Sequence, residues 1–357
     1  MRKRRTRIQF IAITFAIMAV AMLVAVFVYT FNTRDPGSEI LKFAINTNAN
    51  MFSNISYKTY DSNGKEITLS SEKVTEEEKN NFVFQQMTSN FSLSNGENCS
   101  VSADTTKLIK EDKTICEFTG NVKFSTSSGV QLKTEKSVVD FEKKTADGNS
   151  DIFVEKDNAR LGARNYHLDI ENKIAILTGN AHVTSNNHTI SCDKMIVCFL
   201  GDLKNLSDTK SIKSINAEGN AKLASPNYTL TAKKNILYTA ASTVASIVAD
   251  TRVNLVYKKG KKVFDIKSGH MIAILDKNNR IEEINATNFL TIKTPDAIIK
   301  SKKGILKGNK ASVFGNVVIS GANGDVFGES AVLDIDTGSI AIEKSCGIVS
   351  DGKEKQK

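Results

Sequence analysis

Residues 179–197 have the sequence GNAHVTSNNHTISCDKMIV, which contains both elements of a pattern that recurs along the chain. The first element is Gly-Asn followed by an apolar, a variable and an apolar residue, and here it ends at Val183. The second begins at Ile190 with an apolar, a variable and a small residue, continues with three mostly polar residues and returns to an apolar one, Ile196. Repetition of so short a pattern constrains how the whole polypeptide can pack.

The second element recurs along most of the chain. Clear copies begin at Leu132, Ile190, Leu230, Ile266, Ile299 and Val326, and weaker copies at Leu69, Val101 and Leu161. Successive starts are separated by 27 to 40 residues. Self-similarity at this period is typical of stacked units, each too small to bury its own apolar face.

The spacing within the second element predicts β-structure. Its apolar positions are the first, third and seventh, so they share one face of an extended strand. The first element recurs at residues 120, 179, 219 and 315, and its Gly-Asn pair tolerates the positive φ of a bend or bulge. We therefore predict two or three short antiparallel strands per unit. Thr75 to Gln86, with three consecutive Glu, is predicted to be a short helix or a solvated loop.

The N-terminus predicts a membrane anchor. Residues 8–31 carry no charge, and a helix of this length is about 36 Å long, enough to cross a bilayer. Five basic residues precede it, so we expect a cytoplasmic N-terminus and an exported body. A cleaved signal peptide is the alternative, but the apolar run is long for one. The net charge of +9 owes much to these residues, and no basic stripe interleaved with aromatics indicates nucleic-acid binding.

The sequence contains no pattern that indicates catalysis. The four His, at 167, 182, 188 and 270, stand in no zinc-protease motif, and nucleophile-elbow and Walker A patterns are absent. The five Cys form no Cys-x-x-Cys pair. Cys99 with Cys116 is a possible disulfide, although small buried strand residues are the favoured interpretation. We therefore expect a protein that is not an enzyme and has no catalytic residue, metal or cofactor.

Residues 1–182 resemble the LptC family, the membrane-anchored periplasmic component of the lipopolysaccharide-transport bridge. The elements that carry the resemblance, in order, are the anchor, Asn63-Gly64-Lys65, Leu69 to Lys73, Val101 to Asp104, Phe118 to Val122, Leu132 to Glu135 and Leu161 to Ala163. Residues 183–345 resemble the soluble bridge protein LptA and the organic-solvent-tolerance (OstA) family, most clearly at Phe314-Gly315-Asn316-Val317 and Val326 to Ile335.

The resemblance implies an all-β fold: an N-terminal transmembrane helix followed by a twisted, incompletely closed antiparallel β-jellyroll of stacked units. It also implies an inner-membrane protein with a periplasmic body that takes part in lipopolysaccharide transport and outer-membrane biogenesis. The implied partners are lipopolysaccharide, the permeases of an inner-membrane ABC transporter, and like-fold bridge proteins that pair edge to edge. The segments are a basic tail (1–7), the anchor (8–31), a linker with the first strand region (32–60), an LptC-like jellyroll (61–182), an LptA/OstA-like jellyroll (183–345) and a polar tail (346–357).

The repeat predicts an inward apolar stripe. An unclosed jellyroll would make this stripe a trough for lipid A acyl chains, whereas phosphates and sugars would stay outside near lysines such as Lys123, Lys133 and Lys222. A closed, dry stack, as in an anchored structural or adhesive β-solenoid without lipid cargo, is the alternative. The terminal unit, residues 314–342, is the expected docking edge. The predicted lipid-binding residues are Val122, Phe124, Leu132, Val138, Val183, Ile190, Ile196, Leu223, Leu230, Ile236, Val317, Ile319, Val326 and Val332.

Overall fold

The computed structural model describes 13 stretches of the chain, all beyond the predicted anchor. They are residues 51–60, 66–78, 81–92, 97–110, 114–169, 171–185, 188–199, 212–239, 245–259, 262–276, 281–322, 324–343 and 348–349. The anchor predicted at 8–31 therefore lies outside the described residues. Within the described ranges, no helix is long and apolar enough to cross a membrane.

The described residues form an antiparallel β-structure, as the repeat predicted. The strands are β1 Met51–Tyr60, β2 Glu66–Glu78, β3 Asn81–Ser92, β4 Asn98–Lys110, β5 Thr114–Thr126, β6 Gln131–Asp140, β7 Thr145–Gly148, β8 Ile152–Lys156, β9 Ala159–Ala163, β10 Asn165–Asp169, β11 Ile174–Ser185, β12 His188–Phe199, β13 Ile212–Glu218, β14 Ala221–Ala224, β15 Tyr228–Ala232, β16 Asn235–Thr239, β17 Ala245–Lys259, β18 Lys262–Leu275, β19 Ile281–Lys293, β20 Ala297–Ser301, β21 Lys303–Lys307, β22 Lys310–Gly321, β23 Gly324–Asp334, β24 Ile340–Glu343 and β25 Ile348–Val349.

The chain divides into two compact units. The first comprises residues 1–186 and 194–213, and the second comprises residues 187–193 and 214–357. In the first unit β1 to β6 pair consecutively, after which the short strands β7 with β8, and β9 with β10, each replace one long strand. The second unit follows the same plan. Its long strands are β17, β18, β19, β22 and β23; the short strands β13 to β16 precede β17, β20 and β21 lie between β19 and β22, and β24 and β25 follow β23.

Many strands are longer than predicted because the bend lies inside them. β17 has 15 residues and β18 has 14. In β5 the bend is at Gly120-Asn121, with φ angles of 77° and 46°, and these two residues stand opposite the single residue Glu135 of β6. This is a β-bulge, which re-aims the strand while the ladder continues on both sides.

The positive φ predicted for Gly-Asn is confirmed at all four copies, residues 120–121, 179–180, 219–220 and 315–316. The structure explains why the first position is Gly: a Cβ on Gly120 would lie 2.6 Å from Oδ2 of Asp104 on β4. That same Oδ2 accepts a hydrogen bond of 2.7 Å from Nδ2 of Asn121. Asp193 and Asn220 form the same pair in the second unit, at 3.0 Å. At these two of the four bends, a carboxylate on the neighbouring strand binds the Asn side chain.

The helix or loop predicted for residues 75–86 is wrong. This segment is the end of β2 and the start of β3, which pair antiparallel. Val74, Phe82 and Phe84 are buried, and they supply the apolar face that a strand requires. The glutamates stand at the hairpin end, where Glu77 forms an exposed ion pair of 3.1 Å with Lys107.

The shared face predicted for the second element is wrong at the seventh position of most copies, although Ile236, in the copy that begins at Leu230, is buried as predicted. In β6, Leu132 and Thr134 are buried, but the next buried residues are Ser137 and Val139, so Val138 is only half-buried. The same switch leaves Ile196 half-buried between Met195 and Val197, and Val332 half-buried between Ala331 and Leu333. In these three strands two consecutive residues turn outward opposite the bulge, so the inward-facing positions change from even-numbered to odd-numbered residues.

Only part of the docking edge predicted at residues 314–342 lies at an edge of the sheet. β22 pairs with β20 and β21 on one side and with β23 on the other, so it is an interior strand. The last strands are β24 and β25, which both pair with β23. Residues 348–349 therefore belong to the sheet and not to the polar tail predicted to begin at residue 346.

The structure places none of the four cysteines of the described ranges in a disulfide. Cys99, Cys116 and Cys192 are buried in strands and Cys198 is half-buried, as the favoured interpretation predicted, and Cys346 lies outside the described residues. Burial, reinforced by Glu97, raises the pKa of the Cys99 thiol to about 12, and burial also raises the pKa of Cys116. Thiols with raised pKa values are poor nucleophiles at neutral pH.

Candidate functional site

Buried side chains of the first unit form a continuous row across six strands. The row passes through residues that are direct cross-strand partners, namely Val101, Phe124, Leu132, Val154, Leu161 and Val183. All six are buried. At about 4.8 Å per strand, the row extends over about 24 Å. We call it the first ladder.

The second unit contains a longer row of the same kind, which we call the second ladder. It crosses nine strands through Ile190, Leu223, Leu230, Leu255, Ile266, Ile292, Ile299, Ile319 and Val326. Each member is Leu, Ile or Val, and all except the half-buried Val326 are buried. The row spans about 38 Å. The backbone of Val326 then pairs with that of Ile348 in β25.

The repeat explains why the ladders exist. Every clear copy of the second element contributes its first residue, as Leu132, Ile190, Leu230, Ile266, Ile299 and Val326. The intervening residues, except Val154, lie four positions after the first residue of a bend, as Phe124 follows Gly120 and Ile319 follows Gly315. The bend and the repeat start that follows it thus place one apolar side chain each on neighbouring strands, side by side.

Most of the predicted lipid-binding residues lie on the inner face. The structure brings Phe124, Leu132 and Val183 together in the first ladder, and Ile190, Leu223, Leu230, Ile319 and Val326 in the second. Val122, Ile236 and Val317 are buried but lie outside the ladders. Val138, Ile196 and Val332 do not join them, because they follow the parity switch at the bulge.

Several ladder members were missing from the predicted set. Val101, Leu161, Ile266 and Ile299 are first residues of repeat copies, so the repeat itself identifies them. Leu255 and Ile292 follow by four residues the bends at Thr251-Arg252 and Asn288-Phe289, which have φ angles of 65° and 52°, and 60° and 72°. These two bends have the conformation of Gly-Asn without its sequence. At the second of them, Gly269 on β18 supplies the missing space, since a Cβ there would lie 2.7 Å from that of Asn288.

The interior around the ladders is mostly apolar. A cavity of about 90 Å³ in the second unit is lined mainly by apolar side chains, among them Leu255, Ile266, Ile284 and Leu306, together with Tyr257 and the exposed Glu282. In the first unit Tyr166 lies against Phe118 and Leu132, and burial raises its pKa to about 12. The Tyr166 phenol and the Cys99 and Cys116 thiols, whose pKa values are raised by burial, therefore remain neutral at neutral pH.

The comparisons with known proteins agree with this geometry over the first half of the chain. Residues 17–188 match the family model described as "Lipopolysaccharide-assembly, LptC-related". No curated protein matched the chain in a sequence search. The matched range includes every residue of the first ladder, and it supports a role for this region in lipopolysaccharide transport and assembly. Residues 17–188 are thus similar to the LptC family of lipopolysaccharide-assembly proteins, and this similarity supports an LptC-type protein.

Proposed function

We propose that this protein is an inner-membrane-anchored component of the periplasmic bridge that carries lipopolysaccharide toward the outer membrane. The LptC match and the uncharged run at 8–31 behind a basic cluster support this proposal. In it, residues 1–7 stay in the cytoplasm and the β-structure lies in the periplasm. Permeases of an inner-membrane ABC transporter would deliver the cargo.

The two ladders are the surfaces on which we propose that acyl chains lie. The observation that carries this proposal is the unbroken run of aliphatic and aromatic partners across neighbouring strands. Each buried CH₂ contributes about 0.8 kcal/mol, so a lipid with several chains can be held strongly without a specific pocket. Because successive rungs are chemically alike, a lipid can move along a ladder without a large change in free energy.

Acyl chains reach the ladders only if the sheet opens along a seam, since the ladder side chains are buried. We propose that each jellyroll is incompletely closed and that cargo separates its edges. Residues 183–345 would then act as an LptA/OstA-like unit that lengthens the path. Its last strands would pair with a like-fold partner, because a sheet edge presents backbone donors and acceptors.

Site-specific photo-crosslinking tests the proposal in the full-length membrane protein. Crosslinkers at the buried positions Phe124, Ile190, Ile236 and Ile319 should capture lipopolysaccharide during transport. Outward-facing positions Ser191 and Lys222, which are cross-strand neighbours of one another, should capture much less. Equal labelling of both sets would contradict the inner-face proposal. A protein that carries no lipid in a native extract would favour the closed structural β-solenoid.

A further inference from the structure

The outer face of the first unit carries a row of side chains that the acyl-chain proposal leaves unexplained. Lys123 on β5, Lys133 on β6, Phe153 on β8, Gly162 on β9 and His182 on β11 are successive cross-strand partners. Each of these residues is the sequence neighbour of a first-ladder residue, so it lies on the opposite face of the same strand. Lys123 and Lys133 are exposed, and Phe153 exposes 57% of its surface.

The two lysines are an unusual pair. They stand directly opposite each other, and like charges in that position destabilise a sheet. Within the described part of the chain, neither forms an ion pair that would offset the repulsion. An anion placed between the two ammonium groups would remove this cost and would bind to both.

Next to the lysines, the surface forms a groove of about 340 Å³. It is lined by Gln131, Lys133, Phe153, Glu155, Arg160 and His182 above the buried Val154 and Leu161. Arg160 and Glu155 are only loosely paired, at 4.0 Å, and both are exposed. The groove therefore combines one exposed aromatic ring with cations, an amide and a carboxylate.

Gly162 and His182 give the groove its shape. A Cβ on Gly162 would lie 2.5 Å from Cε1 of His182, so the imidazole occupies the space above the glycine. Nδ1 of His182 lies 3.0 Å from the carbonyl oxygen of Asn180, which can only accept, so Nδ1 carries the proton and donates it. This bond fixes the ring beside the Gly179-Asn180 bend, and the floor of the groove is thereby pre-formed.

We propose that this groove binds the phosphorylated sugar headgroup of the lipid cargo. A phosphate monoester fits the opposed lysines, the apolar face of a sugar ring fits the phenyl ring of Phe153, and sugar hydroxyls fit Gln131 and Glu155. The inference rests on the proposed lipid transport and deepens it. The groove borders the ladder residues Val154 and Leu161, so the proposed headgroup site adjoins the residues on which the acyl chains are proposed to lie.

Binding to matched lipids tests this inference with the full-length protein in detergent micelles. The probes are bisphosphorylated lipid A and the same lipid with both phosphates removed, with inorganic phosphate as a soluble competitor. The double substitution Lys123→Gln/Lys133→Gln should weaken binding of bisphosphorylated lipid A about tenfold or more, since each charge-assisted contact is worth about that factor. Binding of the dephosphorylated lipid should change less than twofold.

The matched control is Lys107→Gln/Lys143→Gln, which removes the same charge from exposed positions of the same unit outside the groove. It should leave both affinities within twofold. Lys123→Arg/Lys133→Arg should retain binding of the phosphorylated lipid, and Phe153→Ser should weaken both lipids alike. Competition by inorganic phosphate alone, without a contribution from Phe153, would show a simple anion site and overturn the headgroup proposal.

Two further outcomes separate this inference from the function on which it rests. If the lysine substitutions weakened both lipids equally or neither, the groove would not recognise phosphate, although the proposed transport function could stand. If the wild-type protein bound neither lipid, the transport function itself would fail, and the groove proposal with it. Unchanged thermal unfolding midpoints for all variants would show that the differences arise from binding.

Discussion

At the scale of single residues, the β-bulge determines which side chains face the interior. Val138 and Val139 are consecutive and identical, yet only Val139 is fully buried, at 0% exposure. A strand without a bulge would have placed position 138 on the same face as Leu132. Comparing substitutions of these two valines therefore tests directly which of them faces the interior.

We expect Val139→Ala to lower the free energy of unfolding by about 2 kcal/mol, because it removes buried methyl groups and leaves a cavity. Val138→Ala should cost less than about 1 kcal/mol, since that side chain is only half-buried. Urea denaturation of the two variants compares them under identical conditions. A larger loss for Val138→Ala would contradict the inward assignment of Val139.

The bend at Thr251-Arg252 stores backbone strain. Thr is β-branched, and its φ of 65° lies in the left-handed region that such residues rarely adopt. The Gly-Asn bends at 219–220 and 315–316 of the same unit show which residues accommodate this conformation.

Replacing Thr251-Arg252 by Gly-Asn should therefore stabilise the protein by about 1 kcal/mol, since the relieved strain exceeds the extra entropy that Gly brings to the unfolded chain. The matched control is Gly315→Ala, which imposes a Cβ where φ is 80° and should destabilise. Thermal unfolding midpoints measure both effects. Destabilisation by Gly-Asn would indicate that the Thr251 and Arg252 side chains make contacts worth more than the strain.

At the scale of strands, the C-terminal edge allows a sharper test of partner pairing than the sequence did. The N–H of Asp334 bonds to the carbonyl of Ser339, so residues 334 and 339 form a hydrogen-bonded pair. Hydrogen-bonded and non-hydrogen-bonded pairs alternate along an antiparallel ladder. The pair of Val332 and Ala341 is therefore hydrogen-bonded, whereas in the next pair, Ala331 and Ile342, the N–H of Ile342 points away from β23.

Ile342→Pro should weaken binding of a like-fold partner about tenfold in a pull-down titration, because it removes an outward donor while the internal ladder stays intact. Ala341→Pro breaks an internal bond instead and should lower stability. Truncation after Val349 keeps every described strand and should leave binding unchanged. Partner binding that survives Ile342→Pro would place the docking edge elsewhere.

The sequence predicted the period, the β-class, the conformation of Gly-Asn and most of the inner face. These features depend on local patterns, such as the small residue two positions after Ile190 or the glycine at 179. The sequence did not predict that the inward-facing positions shift by one residue in the strand opposite a bulge. A bulge involves two strands, and no residue pattern around Glu135 identifies it as the position opposite Gly120-Asn121. The sequence missed Leu255 and Ile292 for a related reason, since the bends before them use Thr-Arg and Asn-Phe.

At the scale of the whole molecule, the distribution of charge predicts the topology. A reporter that is active only in an oxidising compartment, fused after Lys357, should be active in cells, whereas a cytosolic reporter at the same position should not. Fusion before the uncharged run, after Arg7, serves as the control with the opposite expectation. Activity of the cytosolic reporter at Lys357 would contradict an exported body.

The register of the second ladder also has a consequence for how such chains change in length. Each rung comes from a fixed position relative to a repeat start or a bend. A duplicated hairpin would therefore lengthen the ladder by two strands, about 10 Å, while every other ladder side chain would stay on the inner face. An insertion of a single residue within a strand would instead reverse the facing of every side chain up to the next turn. The reach of the ladder can thus grow by gene-level copying of hairpins, in steps of two strands.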